Sequence, residues 1–229
     1  MGAFNDLASV VRTGQIGLAH DGVVADDHPQ WVKFARAMEK MMSLPSMLLA
    51  EVADPQASRP IRVLDVAAGH GLFGIEIARR NPDAHITFLD WGNVLEVARH
   101  NASEAGILDR STFLPGNAFE LDFGKDYDVV LLTNFLHHFD EAGCVAIARK
   151  VHASLAEGGR ALTFEFIANE DRISPPLAAT FSMMMLGTTT AGEVYAYSDM
   201  ERIYRTAGYS RVELRPIPPA MEKVIVSHR

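Results

Sequence analysis

Two adjacent histidines, His137 and His138, follow the apolar run LLTNFL and precede an acidic pair. A strand inside a parallel sheet is covered on both faces, so polar residues begin where the strand leaves the sheet. Open α/β sheets bind their ligands at that edge. An imidazole with an ordinary pKa of about 6.5 is a free base at pH 7 and can take the proton of a phenol, whose pKa is about 10.

A glycine-rich turn lies earlier, in the stretch IRVLDVAAGHGLFG. Gly69, Gly71 and Gly74 satisfy G-x-G-x-x-G, which alone is weak evidence for a dinucleotide site. Asp65 would repel a pyrophosphate but attract a cation, and S-adenosylmethionine carries an ammonium, a sulfonium and no phosphate. Small residues such as Ala67 let the backbone approach a ligand closely. The turn therefore favours S-adenosylmethionine over NAD.

Two further stretches contain candidate adenosine contacts. HITFLDWG ends in Asp90, which can accept hydrogen bonds from both ribose hydroxyls of either cofactor. Trp91 beside it is either a cover for the adenine or ordinary packing. Asn117, in PGNAFE, is either a partner for the adenine edge or a solvated turn residue.

Short apolar runs alternate with helical patterns from Ile61 onward, which is typical of βαβ units. A helix is expected to end at Gly158 and Gly159, and RVELRPI and EKVIVSHR are expected to form a C-terminal hairpin. The predicted fold is α/β: a doubly wound, mostly parallel seven-stranded sheet with an antiparallel C-terminal hairpin strand. The predicted strands are 61–66, 84–90, 111–115, 127–135 and 160–166, and the predicted helices are 73–80, 93–105 and 141–156.

Residues 1–60 are predicted to be a helical N-terminal extension and linker, and residues 61–229 a cofactor-binding catalytic domain. Asp27 and Pro29 mark a helix start in DDHPQWVKFARAMEKMM. This helix either packs on the main domain or forms a wall of the substrate pocket. Its apolar stripe is Trp31, Phe34, Met38, Met41 and Met42.

Composition limits the partners. The formal net charge is −8, so no broad attraction to nucleic acid or anionic lipid is expected. No run reaches 18 apolar residues, and the start MGAFND resembles no signal peptide. The single cysteine, Cys144, excludes an intramolecular disulfide and favours a cytoplasmic location.

Five segments together resemble a known family. VLDVAAGHG, FLDW, PGNAFE, YDVVLLTNFLHHFDE and LAEGGRALTFEF resemble, in order and spacing, the catalytic domain of S-adenosylmethionine-dependent O-methyltransferases. The most similar branch is the plant-type and bacterial natural-product group, over roughly residues 20–229. The resemblance implies S-adenosyl-L-methionine as cofactor, no metal, and a small, phenolic acceptor.

The resemblance also implies roles for single residues. His137 falls at the family's catalytic base, Glu165 at the carboxylate that orients it, and Glu193 at a second carboxylate after a one-residue gap. His138 and Phe139 stand where the family has Asp and Trp. The implied cofactor-binding residues are Asp65, Ala67, Gly69, Gly71, Asp90, Trp91, Asn117, Ala118, Phe119, Thr133 and Asn134.

Acceptor contacts are predicted from apolar residues in two helices. LAATFSMMMLGTT is a Met-rich helical insert whose thioethers suit a flat ring, although each methionine could equally be core packing. The predicted substrate residues are Trp31, Met38 and Met184. The branch usually adds an N-terminal helical domain that builds a homodimer and part of the pocket. Here only its connecting helices precede the catalytic domain, so either most of that domain is missing or the pocket is more open.

Three alternatives stay open. A metal-assisted methyltransferase could use His137, His138 and Asp140 as ligands. A relative that does not methylate could keep the cofactor as a charged scaffold. An NAD-dependent oxidoreductase would also fit the glycine pattern.

Overall fold

A computed structural model describes residues 10–12, 29–54 and 56–229; the predicted helix-start residue Asp27 lies outside them. One seven-stranded sheet has the order β3-β2-β1-β4-β5-β7-β6. The strands are β1 (Ile61–Val66), β2 (Ala84–Asp90), β3 (Ser111–Pro115), β4 (Tyr127–Thr133), β5 (Leu155–Glu165), β6 (Arg211–Pro216) and β7 (Lys223–His228). The helices are α1 (Pro29–Ala53), α2 (Leu72–Arg80), α3 (Gly92–Glu104), α4 (Glu141–Ser154), α5 (Pro176–Thr188) and α6 (Tyr197–Ala207).

The sheet is doubly wound, as predicted. The strands β1 to β5 pair in parallel, and β7 pairs antiparallel with both β5 and β6. The chain passes from β1 outward through β2 to β3, then returns to place β4 on the other side of β1. This reversal of strand order opens a crevice at the carboxyl ends of β1 and β4, where α/β proteins bind ligands.

Two hydrophobic cores cover the two faces of the sheet. Residues of α1, α2 and α3 pack on one face with Val63, Ile86 and Leu131. Residues of α4 and α6 pack on the other face with Leu64 and Leu132. Alternate residues of each central strand therefore enter opposite cores, which explains why these strands are apolar throughout. No helix in the described part of the chain is both long and apolar enough to cross a bilayer.

The helix α1 packs on the main domain along a different stripe from the predicted one. Met42 is buried, but Phe34 and Met41 are 50% and 65% exposed. The buried line instead runs through Ala35, Met42 and Leu49, because a spacing of seven keeps residues on one helix face. The predicted stripe was therefore partly wrong.

The junction of α4 and β5 also differs from its prediction. The helix ends at Ser154, and β5 begins at once with Leu155. Gly158 and Gly159 do not end the helix but belong to a bulge, where the register between β4 and β5 shifts. A Cβ on Gly159 would lie 2.8 Å from the carbonyl oxygen of Tyr127. A glycine is needed there because two backbones approach closely.

The strand β4 ends two residues earlier than predicted. Its last residue is Thr133, and Asn134 follows with a φ of +51°. This left-handed conformation turns the chain out of the sheet. The backbone N–H of Asn134 still donates to the carbonyl oxygen of Phe164 on β5, at 2.9 Å. The turn that contains the histidines is thereby held against β5.

Candidate active site

The glycine turn joins β1 to α2 at the crevice. Ala67, Gly69 and Gly71 all have positive φ values of 55°, 57° and 75°. A Cβ on Gly69 would meet only the carbonyl oxygen of Ala67, at 4.0 Å, so space lies open above it. A Cβ on Gly71 would lie 3.0 Å from Ala98 on α3. The turn thus presents bare backbone to the crevice.

Asp65 lies beneath this turn and not on its surface. Its side chain is fully buried, and its Oδ2 accepts a hydrogen bond from the Gly74 N–H at 3.1 Å. Its Oδ1 has no hydrogen-bond partner in the described structure. Burial, with Asp90 nearby, raises the pKa of Asp65 to about 8. Asp65 is therefore not an exposed anion that could meet a ligand directly.

Asp90, at the end of β2, is the acid that borders the crevice. Its two carboxylate oxygens accept hydrogen bonds from the Gly69 N–H at 2.8 Å and the Trp91 N–H at 2.7 Å. Burial raises the pKa of Asp90 to about 6. A carboxylate has about four acceptor positions. Asp90 can therefore hold the glycine turn and still accept hydrogen bonds from a diol.

The two predicted adenine contacts, Trp91 and Asn117, lie in different surroundings. Trp91 packs against a small buried cluster formed by Ala35 of α1 and by Val94 and Val97 of α3. The amide oxygen of Asn117 accepts a hydrogen bond from the Phe119 N–H at 2.9 Å, which is an Asx turn. The amide nitrogen of Asn117 is held less firmly, because it makes a long hydrogen bond of 3.5 Å to Oε1 of Glu120.

The loop after β3 closes the same side of the crevice. Lys150 of α4 donates hydrogen bonds to the carbonyl oxygens of Ala118 and Phe119, both at 2.7 Å. Ala118 is buried, whereas Phe119 is partly exposed and contacts the ring of Phe139 edge-on. The loop after β3 therefore contacts Phe139, the residue that follows the histidine turn Leu136–His138.

His137 and Glu165 form a buried pair at the opposite side of the crevice. Nδ1 of His137 donates to Oε2 of Glu165 at 2.6 Å. Oε1 of Glu165 accepts from the backbone N–H groups of Phe135 and Leu136, at 2.8 and 2.9 Å. Three donors fix this carboxylate, which in turn holds the proton of the neutral imidazole on Nδ1 and leaves Nε2 as the acceptor. An imidazole in this state is ready to act as a base.

His138 lies beside this pair but lacks a carboxylate. Its ring centroid is 4.3 Å from that of His137 and 5.5 Å from that of Trp31, which contacts it edge-on. Burial and the neighbouring His137 lower the pKa of His138 well below its usual range. Its Nδ1 is buried and has no partner among the described residues.

The start of α1 reaches the histidines. Trp31 contacts His138, and the sulfur of Met42 accepts a weak hydrogen bond from the side chain of Asn134, at 3.7 Å. Met38 is partly buried and packs against the core cluster that includes Met42. Thr133, also predicted for the cofactor site, is buried at the end of β4.

The helix α5 adds an aromatic residue that sequence reasoning missed. Phe181 places its ring edge-on to His137, with centroids 4.8 Å apart. Met184 and Met183 are partly exposed, whereas Met185 is buried. The lone aromatic residue within a methionine-rich helix was the available signal for Phe181.

The second predicted carboxylate, Glu193, is not in contact with His137. Its side chain is half exposed and lies 3.5 Å from Arg172. Its neighbour Gly192 does approach the histidines: a Cβ there would lie 2.3 Å from the carbonyl oxygen of His137. Sequence reasoning missed Gly192, whose only signal was a single glycine in TTTAGEVY.

In the part of the chain that the structure describes, potential metal ligands do not converge near the histidines. Among the described residues, no three or more His, Cys, Asp or Glu side chains are placed to hold one ion. Glu165 occupies Nδ1 of His137, and Asp140 caps α4 by accepting from the Gly143 N–H at 2.8 Å. Two of the three side chains named in the metal-assisted alternative, His137 and Asp140, are thus engaged elsewhere.

A family model described as an O-methyltransferase domain matches residues 4–210. The chain belongs to the O-methyltransferase family. A solved structure of a Nostoc punctiforme PCC 73102 protein described as an O-methyltransferase is 44% identical, covers all of this chain and 68% of that one, and superposes with a TM-score of 0.96. Human N-acetylserotonin methyltransferase, solved with S-adenosylmethionine, has a TM-score of 0.85 at 21% identity, over 99% of this chain and 66% of that one, and supports the fold.

Curated relatives include two Streptomyces enzymes. L-tyrosine C(3)-methyltransferase of Streptomyces lavendulae is 27% identical over 80% of this chain and 50% of its own length. 3-amino-4-hydroxybenzoate 4-O-methyltransferase of Streptomyces cremeus is 32% identical over 73% and 45%. This O-methyltransferase chain thus spans about half the length of the curated relatives it matches. The predicted family and fold class are confirmed, and the family match counts against the NAD-dependent oxidoreductase.

Proposed function

We propose that this O-methyltransferase moves a methyl group from S-adenosylmethionine to a hydroxyl of a small aromatic molecule, with His137 as the general base. The hydrogen bond from His137 to the buried Glu165, 2.6 Å long, carries this proposal. The pair lies at the same sheet edge as the glycine turn. A methyl donor and a proton acceptor can therefore face one acceptor molecule between them.

The residues of the glycine turn fit the proposed cofactor. The space above Gly69 and the left-handed turn leave backbone accessible, and Asp90 retains acceptor positions for the ribose hydroxyls. The bound cofactor would supply a methyl group on a positively charged sulfur. Asn134, Ala118 and Phe119 border the crevice from the β4 and β3 sides and remain proposed cofactor contacts.

The residues around His137 would perform the proton transfer. Glu165 holds the proton of His137 on Nδ1, so Nε2 can accept the phenolic proton as the oxygen attacks. Glu165 also stabilises the imidazolium that results. Holding the oxygen in line with the methyl group would supply several kcal/mol more. Phe181 and Trp31 provide apolar walls suited to a flat ring.

Other predictions are retained as part of this proposal. Glu193 would act on His137 only after a rearrangement that breaks its contact with Arg172. Met184, partly exposed on α5, is retained as an acceptor contact, and Met38 as a support of the wall. A homodimer and a cytoplasmic location remain predictions.

A direct assay tests the proposal. The purified chain is incubated with S-adenosylmethionine carrying a labelled methyl group and a panel of phenols, and product structure is determined by NMR. We expect O-methylated products, and their loss in His137→Ala with cofactor affinity retained. Products methylated on carbon would refute the hydroxyl as acceptor. Cofactor binding without any product would favour the scaffold alternative, and loss of activity with a chelator would favour the metal-assisted one.

A further inference from the structure

One ring nitrogen of His138 is buried and makes no hydrogen bond to any residue that the structure describes. Nδ1 is buried without a partner in the described structure, although the residue as a whole keeps some exposed surface. A buried N–H without an acceptor is rarer in proteins than an unused acceptor. The proton of the neutral imidazole is therefore best placed on Nε2, which leaves only a lone pair buried.

This N–H lies close to the proposed reaction. The ring of His138 is 4.3 Å from the ring of His137, at an interplanar angle of 51°. Both belong to one short turn, Leu136–His138, whose backbone packs against Gly192. In an aromatic compound with a hydroxyl and an ortho carbonyl group, the two oxygens are about 3 Å apart, the length of a hydrogen bond. One acceptor molecule can therefore present such a pair of atoms to the two imidazoles together.

The pair is also chemically asymmetric. Glu165 makes His137 a proton acceptor at Nε2, whereas His138, which has no carboxylate partner, stays neutral and offers a donor. The pKa of His138 is lowered by burial and by His137, so it does not compete for the substrate proton. One imidazole takes a proton and the other donates a hydrogen bond.

We propose that His138 is a specificity-determining residue whose Nε2–H binds the carbonyl oxygen of a substituent ortho to the reacting hydroxyl. The favoured acceptors are then aromatic ortho-hydroxycarbonyl compounds. In such compounds the phenolic proton bonds internally to the carbonyl oxygen. A hydrogen bond from His138 to that oxygen weakens the internal bond and releases the proton to His137. This inference rests on the proposed function.

Binding and turnover of two isomers separate the two proposals. Calorimetry measures the binding of 2-hydroxyacetophenone and 4-hydroxyacetophenone to the S-adenosylhomocysteine complexes of wild type, His138→Phe and His138→Gln. Phenylalanine keeps a ring against Trp31 and His137 but has no donor, and glutamine restores one. We expect wild type to bind the ortho isomer about 10-fold more tightly, as one neutral hydrogen bond allows. The Phe variant should lose this preference, and the Gln variant should regain part of it.

The outcomes are distinguishable. Equal binding of both isomers by wild type, or a preference that persists in His138→Phe, would overturn the role of His138. Methyl transfer to the same isomers is measured in parallel. Product from neither isomer or any other phenol would count against the proposed function, while the binding ratios would still decide on His138. Thermal unfolding of each variant checks that it is folded.

Discussion

The glycine turn and the histidine turn lie at the same sheet edge, and each is supported by a buried carboxylate. In the histidine turn, Glu165 accepts three hydrogen bonds, and both of its oxygens are used. In the glycine turn, Asp65 accepts one, and its Oδ1 has no partner in the described structure. The carboxylate of the histidine turn therefore has all its oxygens hydrogen-bonded within the protein, whereas the carboxyl of the glycine turn has one oxygen without a hydrogen bond in the described structure.

This difference separates two ways of placing a buried acid. A carboxylate bound by three donors stays in place and fixes what it touches. A carboxyl with a single donor costs stability, and burial raises its pKa, as in Asp65. The two turns should thus respond differently to substitution and to pH.

The largest expected effect comes from Glu165→Gln. The single amide oxygen can still accept from Phe135 and Leu136, but the NH2 group then faces Nδ1 of His137. The imidazole must place its proton on Nε2 and can no longer act as a base, so kcat should fall about 1,000-fold. Steady-state kinetics measures this. Glu157→Gln, exposed at the other end of β5, is the matched control, and equal rates in the two variants would refute the role of Glu165.

The next largest effect is expected from Gly192→Ala, whose new methyl group would push against the histidine turn. In Gly192→Ala the new Cβ would lie 2.3 Å from the carbonyl oxygen of His137. A shift of about 1 Å in the base should lower kcat about 100-fold and cost about 1–3 kcal/mol of stability, with cofactor affinity unchanged. Gly106→Ala, a left-handed turn with open space, should cost about 1 kcal/mol without changing kcat. An unchanged kcat in Gly192→Ala would show that the turn tolerates the displacement.

The pH dependence of stability tests the glycine turn. The pKa of Asp65 is about 8 in the folded chain, against 3.8 as its ordinary value. The folded state therefore binds more protons, and the free energy of unfolding falls as pH rises through this range. Asp90, at about 6, acts in the same direction. His70, whose pKa burial lowers to about 4, and His138, whose pKa burial and His137 lower, oppose both acids, mainly below pH 6.5. Between pH 7 and 8 the effect of Asp65 should dominate.

Denaturant unfolding at pH 7 and pH 8 measures this dependence. Wild type should lose about 1 kcal/mol per pH unit. Asp65→Asn, which resembles the protonated acid, should lose much less, whereas the exposed control Asp109→Asn should follow wild type. A wild-type stability that is flat or rises over this interval would contradict the neutral state of Asp65.

The smallest effect concerns backbone strain in the same turn. Ala67 has a φ of +55°, a conformation that costs a non-glycine residue about 1–2 kcal/mol. Ala67→Gly should remove this strain and raise the free energy of unfolding by up to about 1 kcal/mol, because greater freedom of the unfolded chain offsets part of the gain. Ala68→Gly, at a buried position without positive φ, should be destabilising. A loss of stability in both variants would show that Ala67 is not strained.

Local patterns were sufficient for most of the fold. The ranges of β1, β2 and β3 match their predictions, and the C-terminal hairpin pairs as expected. These elements have apolar runs and turn residues that depend on few distant contacts. The predicted end of α4 was wrong because Gly158 and Gly159 form part of a bulge in β5 opposite β4. No local sequence pattern contains this contact.

The sequence by itself determined which residue types reach the sheet edge. The glycines, Asp90 and His137 follow from strand ends and spacing, and Glu165 follows from the family resemblance. Only the tertiary structure decided how they are used. It buried Asp65 beneath its turn, paired Glu193 with Arg172, and brought Phe181 and Gly192 against His137. The physical reason is that burial and hydrogen-bond partners depend on residues far apart in the chain, whereas strand and helix patterns are local.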